Sequence, residues 1–187
     1  AATGRTVEQL ITALLPLAAA YAVAPVSSFH VGTVASGPGP TPTLYLGANF
    51  EFAGGALGFS IHAEQAAINH AWLAGETEVT RLAVTDAPCG HCRQFLRELA
   101  TADQLQLLLR GRPAHRLAEL LPQAFGPDAL GVSARLLRPA RHPLTLTTPD
   151  EDPLVAAARE AAEQSHAPYS QAYAGCALEV AGGPLQS

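Results

Sequence analysis

The chain has 187 residues and a net charge of -5, and 48% of its residues are hydrophobic while 14% are charged. This composition is typical of a globular protein with enough apolar material for a sizeable core. The mild acidity argues against binding of a phosphate backbone, which normally requires a basic face. Three cysteines are too few for a secreted disulfide framework and favour a reducing compartment, the cytoplasm.

The first predicted element is an apolar helix at residues 6 to 20. The run LITALLPLAAAYAVAP, residues 10 to 25, also resembles the apolar core of a signal peptide. However, its lead-in carries only Arg5 as a positive charge and includes Glu8, and Pro16 interrupts a run already too short to span a bilayer. We therefore predict a helix of the folded domain and no membrane partner.

Strand and helix patterns alternate over the residues that follow. Predicted strands at 29–35 and 43–48 form a hairpin around the loop SGPGPTP, and a helix at 61–74 ends at Gly75. The remaining predicted elements are a strand at 78–85, a helix at 89–100, a strand at 104–110, a helix at 114–124 and a strand near 131–138. The alternation indicates an α/β fold whose sheet is at least partly parallel.

Two short segments of the chain resemble each other in sequence. The shared positions are Ala24, Pro25, Ser27 and Gly32 in one segment and Ala167, Pro168, Ser170 and Gly175 in the other. Each segment follows an alanine-rich helical pattern, so we predict two copies of a helix, a turn and a strand. A helix and one strand cannot bury a core alone. We therefore predict a complete domain at 1–147 and the beginning of a truncated second copy at 148–187, after a proline-rich linker.

Four residues at the starts of two predicted helices point to a metal. His62 and Glu64 open one helix, and Cys89 and Cys92 open the other. Cysteines three positions apart share a helix face, and the positive end of the helix favours thiolates. One histidine and two cysteines leave the fourth position of a zinc ion open, as in catalytic zinc sites. Glu64 is then a base beside that position.

A Cys-x-x-Cys pair alone is also typical of a structural zinc site or a redox pair. A closed structural site needs a fourth protein ligand, for which His91 within the CGHC turn is the candidate. Because the cysteines on both sides would already bind the metal, we expect His91 to face solvent or to lie behind the ligands. Arg93 could offset thiolate charge or be an ordinary surface arginine.

The order H-x-E followed by P-C-x-x-C is the signature of zinc-dependent nucleobase deaminases. The segments that carry it and its surroundings are GANFEF at 47–52, HAEQAAINHAW at 62–72, PCGHCRQFL at 88–96 and AFGP at 124–127. With them the chain resembles the cytidine deaminases, most closely the bacterial homodimeric class with a catalytic domain and a degenerate second copy. The resemblance covers most of residues 10 to 180 and implies a three-layer α/β/α sandwich around a mixed sheet.

This resemblance implies the cofactor and the reaction. Zn²⁺ is held by His62, Cys89 and Cys92, and Glu64 is the catalytic proton shuttle. The reaction is hydrolytic deamination of cytidine and 2′-deoxycytidine to uridine and 2′-deoxyuridine plus ammonia, in pyrimidine salvage. A water molecule activated by the metal attacks C4 of the base.

The resemblance also implies the substrate-binding residues and the assembly. Asn49 and Glu51 bind the ribose hydroxyls, Phe29 stacks near the pyrimidine, and the backbone at Ala63 contacts the base. In this class the second domain of a partner helps to close each active site, so we expect a homodimer. Because the second copy stops after its first strand, we expect this chain to be part of a longer enzyme.

Two other functions stay open at this point. The first is deamination of a base within a polynucleotide, against which the acidic composition and the hydroxyl-binding pair argue. A pocket that binds a free 3′-hydroxyl leaves no exit for a continuing strand. The second is a non-catalytic zinc module used for assembly, which would need the three ligands but not Glu64.

Overall fold

The computed structural model describes residues 4–180 and the backbone of residues 183–186. The chain divides into two compact units between Gly126 and Pro127. The first unit is built on a five-stranded sheet in the order β2-β1-β3-β4-β5. Its strands are β1 (Gly32–Ser36), β2 (Leu44–Ala48), β3 (Arg81–Val84), β4 (Gln106–Leu109) and β5 (Ala114–Arg116).

The sheet is mixed, as the sequence predicts. β1 lies antiparallel to both β2 and β3, β3 is parallel to β4, and β4 is antiparallel to β5. The helices of this unit are α1 (Val7–Ala13), α2 (Leu15–Ala19), α3 (Ala63–Leu73), α4 (Gly90–Leu96) and α5 (Leu117–Leu120), with 3₁₀ turns at Leu57–Phe59 and Ala102–Gln104. No helix in the described part of the chain has the length and apolar character needed to cross a membrane.

Helices cover both faces of the sheet. Val34 packs with Ile11 and Leu15 in one buried cluster, and Leu46 lies against the same cluster. Successive side chains of a strand point to opposite faces, so Gly47 faces the other way, towards α3. The predicted three-layer α/β/α arrangement is therefore confirmed.

The contact between β2 and α3 is close enough to require glycine. A Cβ at Gly47 would overlap the carbonyl oxygen of Ala63 and the backbone amide of Ala67. Only glycine leaves room for the helix backbone at this point. Because α3 begins at Ala63, the contact holds the N-terminus of this helix next to the end of β2.

Some predicted elements of the first unit are wrong in part. The predicted helix at 6–20 is two helices that meet at Leu14, since Pro16 has no N–H to continue the hydrogen-bond ladder. The predicted helix at 89–100 ends earlier, at Leu96. Residues 114–116, predicted as the start of a helix, instead form β5 against β4.

The second unit contains α6 (Pro153–Glu163) and the antiparallel pair β6 (Ala177–Val180) and β7 (Gly183–Gln186). The strand predicted near 131–138 is wrong. Gly131 and Leu137 both have left-handed backbone angles, which interrupt an extended chain. Asp152 caps α6 by accepting the N–H of Leu154 at 2.8 Å.

The two similar segments of the sequence share their local structure. Ser28 and Gln171 have positive φ angles of 56° and 55°, and their N–H groups donate to the carbonyls of Ala24 and Ala167. Four residues after each of these positions, a glycine lies against the backbone of the preceding helix. The pairs are Gly32 against Leu15 and Ala19, and Gly175 against Ala158 and Ala162. The same spacing recurs in both copies. The predicted domain bounds, 1–147 and 148–187, remain a prediction.

Candidate active site

Three loops meet at one edge of the sheet of the first unit. Because β1 is antiparallel to β2 and β3, its start lies beside their ends. The turn before β1, residues 49–51 after β2 and residues 85–89 after β3 therefore come together. They enclose, with the N-terminus of α3, a cavity of about 300 Å³.

The start of α3 is fixed by backbone pairing with the segment that follows β2. Phe50 and Ile61 exchange two backbone hydrogen bonds of 2.9 Å each. His62 follows as the N-cap residue of α3, and Glu64 lies in its first turn with only 4% of its surface exposed. This local pairing places His62 and Glu64 beside Glu51 in the cavity lining.

His62, Cys89 and Cys92 form a group that could hold a metal ion. Their candidate ligand atoms all lie within 4.8 Å of one another, and Cys89 Sγ is 3.6 Å from His62 Nδ1. Zinc bonds of roughly 2.3 Å to sulfur and 2.0 Å to nitrogen, at tetrahedral angles, put two such ligands about 3.5 Å apart. The three predicted ligands are thus brought together in a geometry that fits zinc.

The electrostatics of Cys92 also fit a bound cation. Burial raises the pKa of its thiol, and the neighbouring Glu64 and Cys89 raise the pKa further. Such a thiol stays protonated unless a cation compensates the thiolate, and a metal supplies that compensation. The carboxyl group of Glu64 is thus a neighbour of the Cys92 thiol.

His91 does not join the metal group. Its Nε2 atom lies 3.0 Å from Nε2 of Gln65, and its ring centroid is 5.5 Å from that of His62. The described residues that offer ligand atoms here are His62, Cys89 and Cys92, so the structure favours an open fourth position over the closed structural site.

Arg93 is partly buried and is therefore not an ordinary surface arginine, whereas its role in offsetting thiolate charge stays a prediction. Its Nε donates to the carbonyl of Pro88 and its Nη1 to the carbonyl of Leu120, each at 2.8 Å. The partly buried side chain ties the start of α4 to α5. It therefore supports the loop that carries Cys89 without a hydrogen bond to its sulfur.

Glu51 is held in the cavity by the turn before β1. One carboxylate oxygen accepts the N–H groups of Val26 and Ser27 at 2.9 Å, and the other accepts the Ser27 hydroxyl. These hydrogen bonds, the hydroxyl first, lower the pKa of Glu51 below its usual value. The carboxylate is therefore ionised at neutral pH and keeps free lone pairs for a further donor.

Asn49 is oriented by the same turn. Its Oδ1 accepts the N–H of Val31 at 2.8 Å, and its Nδ2 donates to the carbonyl of Phe29 at 2.9 Å. One N–H of the amide remains available to a ligand. The predicted substrate residues Asn49, Glu51, Phe29 and Ala63 all line the cavity, and the Phe29 side chain is 54% exposed.

The sequence prediction missed several residues of the site. Asp86, Ser60, Leu57 and Ile61 line the cavity, and Ser27 anchors Glu51. Asp86 had a usable signal, because it lies between a predicted strand and the PCGHC motif. Leu57 and Ile61 had no such signal in the sequence, since their role depends on a contact between distant segments.

Comparison with known proteins assigns the family. Residues 5–107 match a family described as the cytidine and deoxycytidylate deaminase zinc-binding region, and residues 117–186 match a second family of the same description. The first match covers more than half of the chain. The chain therefore belongs to the cytidine and deoxycytidylate deaminase zinc-binding family, and zinc is its cofactor, as the sequence predicts.

Individual relatives agree with this assignment. The chain is 51% identical over 178 residues to a cytidine deaminase of Aliivibrio fischeri and 47% identical to one of Yersinia pestis. Both matches cover 95% of this chain and 59% of the relative, so the chain spans about 59% of the length of these curated relatives. A crystal structure of cytidine deaminase from Mycobacterium tuberculosis is similar with a TM-score of 0.57 and 29% identity, over 65% of this chain and 99% of that chain.

Proposed function

We propose that the protein catalyses hydrolytic deamination of cytidine and 2′-deoxycytidine, giving uridine and 2′-deoxyuridine plus ammonia. One observation carries the proposal. A single cavity joins His62, Cys89 and Glu64, which suit metal-assisted hydrolysis, to Asn49 and Glu51, which suit recognition of hydroxyl groups. The relatives at about half identity are named cytidine deaminases, which supports the same reaction.

His62, Cys89 and Cys92 are proposed to hold the zinc ion. When bound there, zinc lowers the pKa of a water molecule and makes it a nucleophile at neutral pH. Glu64 is the proposed general base, because its carboxyl group is almost completely buried beside the ligands. It takes a proton from the attacking water and delivers it to N3 of cytosine. It then takes the remaining proton of the hydroxyl group now bonded to C4 and passes it to the amino group, so that the C4–N4 bond breaks and ammonia leaves as the C4 carbonyl forms.

The remaining cavity residues are proposed to position the nucleoside. Asn49 and Glu51 bind the ribose hydroxyls, Phe29 stacks against the pyrimidine, and the backbone at Ala63 contacts the base. The hydrogen bonds that fix Asn49 and Glu51 before any ligand arrives support this role. A preorganised hydroxyl-binding pair costs little ordering when the substrate binds.

A neutral nucleoside is favoured over a nucleotide or a polynucleotide. The described lining contains three carboxylates, Glu51, Glu64 and Asp86, and no arginine. These carboxylates would repel the phosphate groups of a strand or of a 5′-monophosphate. Competition by a single-stranded oligonucleotide or by cytidine monophosphate as strong as that by cytidine itself would overturn this part of the proposal.

We further propose a cytoplasmic homodimer that acts in pyrimidine salvage, with a catalytic domain at 1–147 and a second deaminase-like copy beginning at 148. The exposed side chains of Phe50, Phe52 and Phe59 support the dimer, since they alternate in sequence with cavity-lining residues and suit cover by a second chain. The second family match and the shared turn geometry support the second copy. The three cysteines without disulfides suit a reducing compartment.

Two variants and one control variant test the proposed function. Glu64→Gln is expected to keep zinc but to slow turnover by roughly 10²- to 10⁴-fold, the usual worth of a general base. Cys89→Ser is expected to lose zinc, whereas Cys176→Ser, outside the metal group, keeps it. The measurements are metal content and the ultraviolet change as cytidine becomes uridine. Unchanged turnover by Glu64→Gln rules out the proton shuttle, and zinc binding without any turnover by the parent favours the assembly module.

A further inference from the structure

Gln65 connects the starts of the two helices that carry the metal ligands. Its Oε1 accepts the backbone N–H of His62 at 2.9 Å, and its Nε2 lies 3.0 Å from Nε2 of His91. His62 is the N-cap of α3, and His91 lies in the first turn of α4 between Cys89 and Cys92. One amide group thus spans from the backbone of one ligand to the turn that holds the other two.

The chemistry of these groups fixes the direction of both hydrogen bonds. A backbone N–H can only donate, so the side-chain oxygen of Gln65 must face His62. The amide nitrogen then faces His91 and donates to it. The Nε2 atom of His91 is therefore the acceptor, and a neutral imidazole that accepts there carries its proton on Nδ1.

Neither residue of this pair has a direct chemical role in the site as described. His91 is not in the group of ligand atoms, and neither Gln65 nor His91 lines the cavity. Both are exposed or only partly buried, so core packing does not account for them. What the bond does is to fix the distance between two helix ends that come from separate parts of the chain.

We propose that the hydrogen bond between Gln65 and His91 is a positioning device that holds the zinc ligands at binding distance before the metal arrives. The proposal rests on the zinc site of the proposed function. Outer partners that orient ligands typically contribute a factor of 10 to 100 to metal affinity. Here the bond acts on all three ligands, because it joins the N-cap of α3 to the turn between the two cysteines.

A matched pair of amide substitutions isolates the bond. The side-chain amide of glutamine reaches about as far as Nε2 of histidine, whereas that of asparagine is one methylene shorter. His91→Gln therefore keeps an acceptor for Gln65, and His91→Asn does not. We expect zinc affinity, measured by competition with a chromophoric chelator, to fall about 10- to 100-fold in His91→Asn and to stay at the parent value in His91→Gln.

Further variants test the other partner. Gln65→Met keeps the length of the side chain, removes both hydrogen bonds and is expected to weaken zinc binding at least as much as His91→Asn. Gln94→Met is the control, since Gln94 is a glutamine of α4 whose amide donates instead to the carbonyl of Phe125 at 2.6 Å. The double variant Gln65→Met/His91→Asn should bind zinc no more weakly than Gln65→Met, because both changes remove the same bond.

Two further measurements separate positioning from general stability. The metal-free proteins should unfold at nearly the same temperature, and the visible spectrum of the Co²⁺-substituted protein should change in His91→Asn but not in His91→Gln. Equal zinc affinity of His91→Asn and His91→Gln overturns the proposal. It is also overturned if the fold-losses of zinc affinity in Gln65→Met and His91→Asn multiply in the double variant. The proposal is also overturned if metal-free His91→Asn unfolds while metal-free His91→Gln stays folded, since the bond would then stabilise the fold. Failure of the parent to deaminate cytidine is a different result and concerns only the proposed function.

Discussion

Ser27 shows how a single side chain prepares the proposed substrate site. Its hydroxyl donates to Glu51, its backbone N–H donates to the same carboxylate, and its Oγ accepts the N–H of Phe29 at 3.0 Å. The hydroxyl bond is the largest cause of the lowered pKa of Glu51. One serine therefore lowers the pKa of the carboxylate proposed to bind hydroxyl groups and holds the backbone of the residue proposed to stack on the base.

Replacement of Ser27 by alanine should change the pH dependence of substrate binding. A carboxylate with a lowered pKa is ionised, and competent to accept a ribose hydroxyl, down to a correspondingly low pH. Ser27→Ala moves the pKa of Glu51 back up, so we expect the rise of KM on acidification to begin at a higher pH. The KM for cytidine measured from neutral to acid pH checks this.

The control for this experiment is Ser165→Ala, a serine whose hydroxyl donates to the carbonyl of Ala162 and not to the cavity. It should leave the pH profile of KM unchanged. An unchanged profile in Ser27→Ala as well would mean that Glu51 does not bind the substrate in its ionised form.

At the scale of elements, the close contact between β2 and α3 positions the carboxyl group of Glu64, the proposed general base. Gly47 allows the helix backbone to touch the strand, and the helix then begins at Ala63, between His62 and Glu64. The pairing of Phe50 with Ile61 fixes the other side of the same helix start. The positions of His62 and Glu64 thus depend on how closely α3 packs against the sheet.

Gly47→Ala should disturb both stability and metal binding. The added methyl group overlaps backbone atoms of α3 that cannot rotate away, so the helix must shift. Forced overpacking of this kind typically costs about 1–3 kcal/mol of the free energy of unfolding. We expect a loss of that size in urea denaturation, together with weaker zinc binding.

Gly58→Ala provides the matched control, because a Cβ there meets no atom within 4 Å. It should differ little from the parent protein in both measurements. If Gly47→Ala bound zinc as tightly as Gly58→Ala, the close packing of α3 on the sheet would not control zinc binding.

Contacts between elements also explain which helices and strands could be predicted from the sequence. The β1–β2 hairpin, α3, β3 and β4 have local patterns of their own, and the structure confirms them. β5 has only three residues and exists because β4 lies beside it, so its sequence carries no strand pattern. The predicted strand near 131–138 had favourable residues but is interrupted by left-handed angles that its composition did not indicate.

At the scale of the whole molecule, the sequence could predict those residues of the candidate site whose chemistry follows from their spacing along the chain. The spacing of His62, Glu64, Cys89 and Cys92 at helix starts indicated the metal group, and the structure brings these residues together. Ser27 and Gln65 could not be predicted in the same way. Their roles depend on which segments meet at the edge of the sheet, and that follows only from the folded topology.

The molecule also carries the same local design twice. The turns at Ser28 and Gln171 have nearly the same positive φ angle, and each is followed four residues later by a glycine that lies against a helix. All three residues of the candidate metal group lie in the first unit.

The proposed zinc site consists of three side chains that hold the ion and leave its fourth position open beside Glu64. A crystal structure of the zinc-loaded protein, with diffraction recorded on both sides of the zinc absorption edge, tests it most directly. We predict one strong anomalous peak within bonding distance of His62, Cys89 and Cys92, with solvent or ligand at the fourth position. A peak elsewhere, or a fourth position filled by His91 or another side chain, would contradict the account.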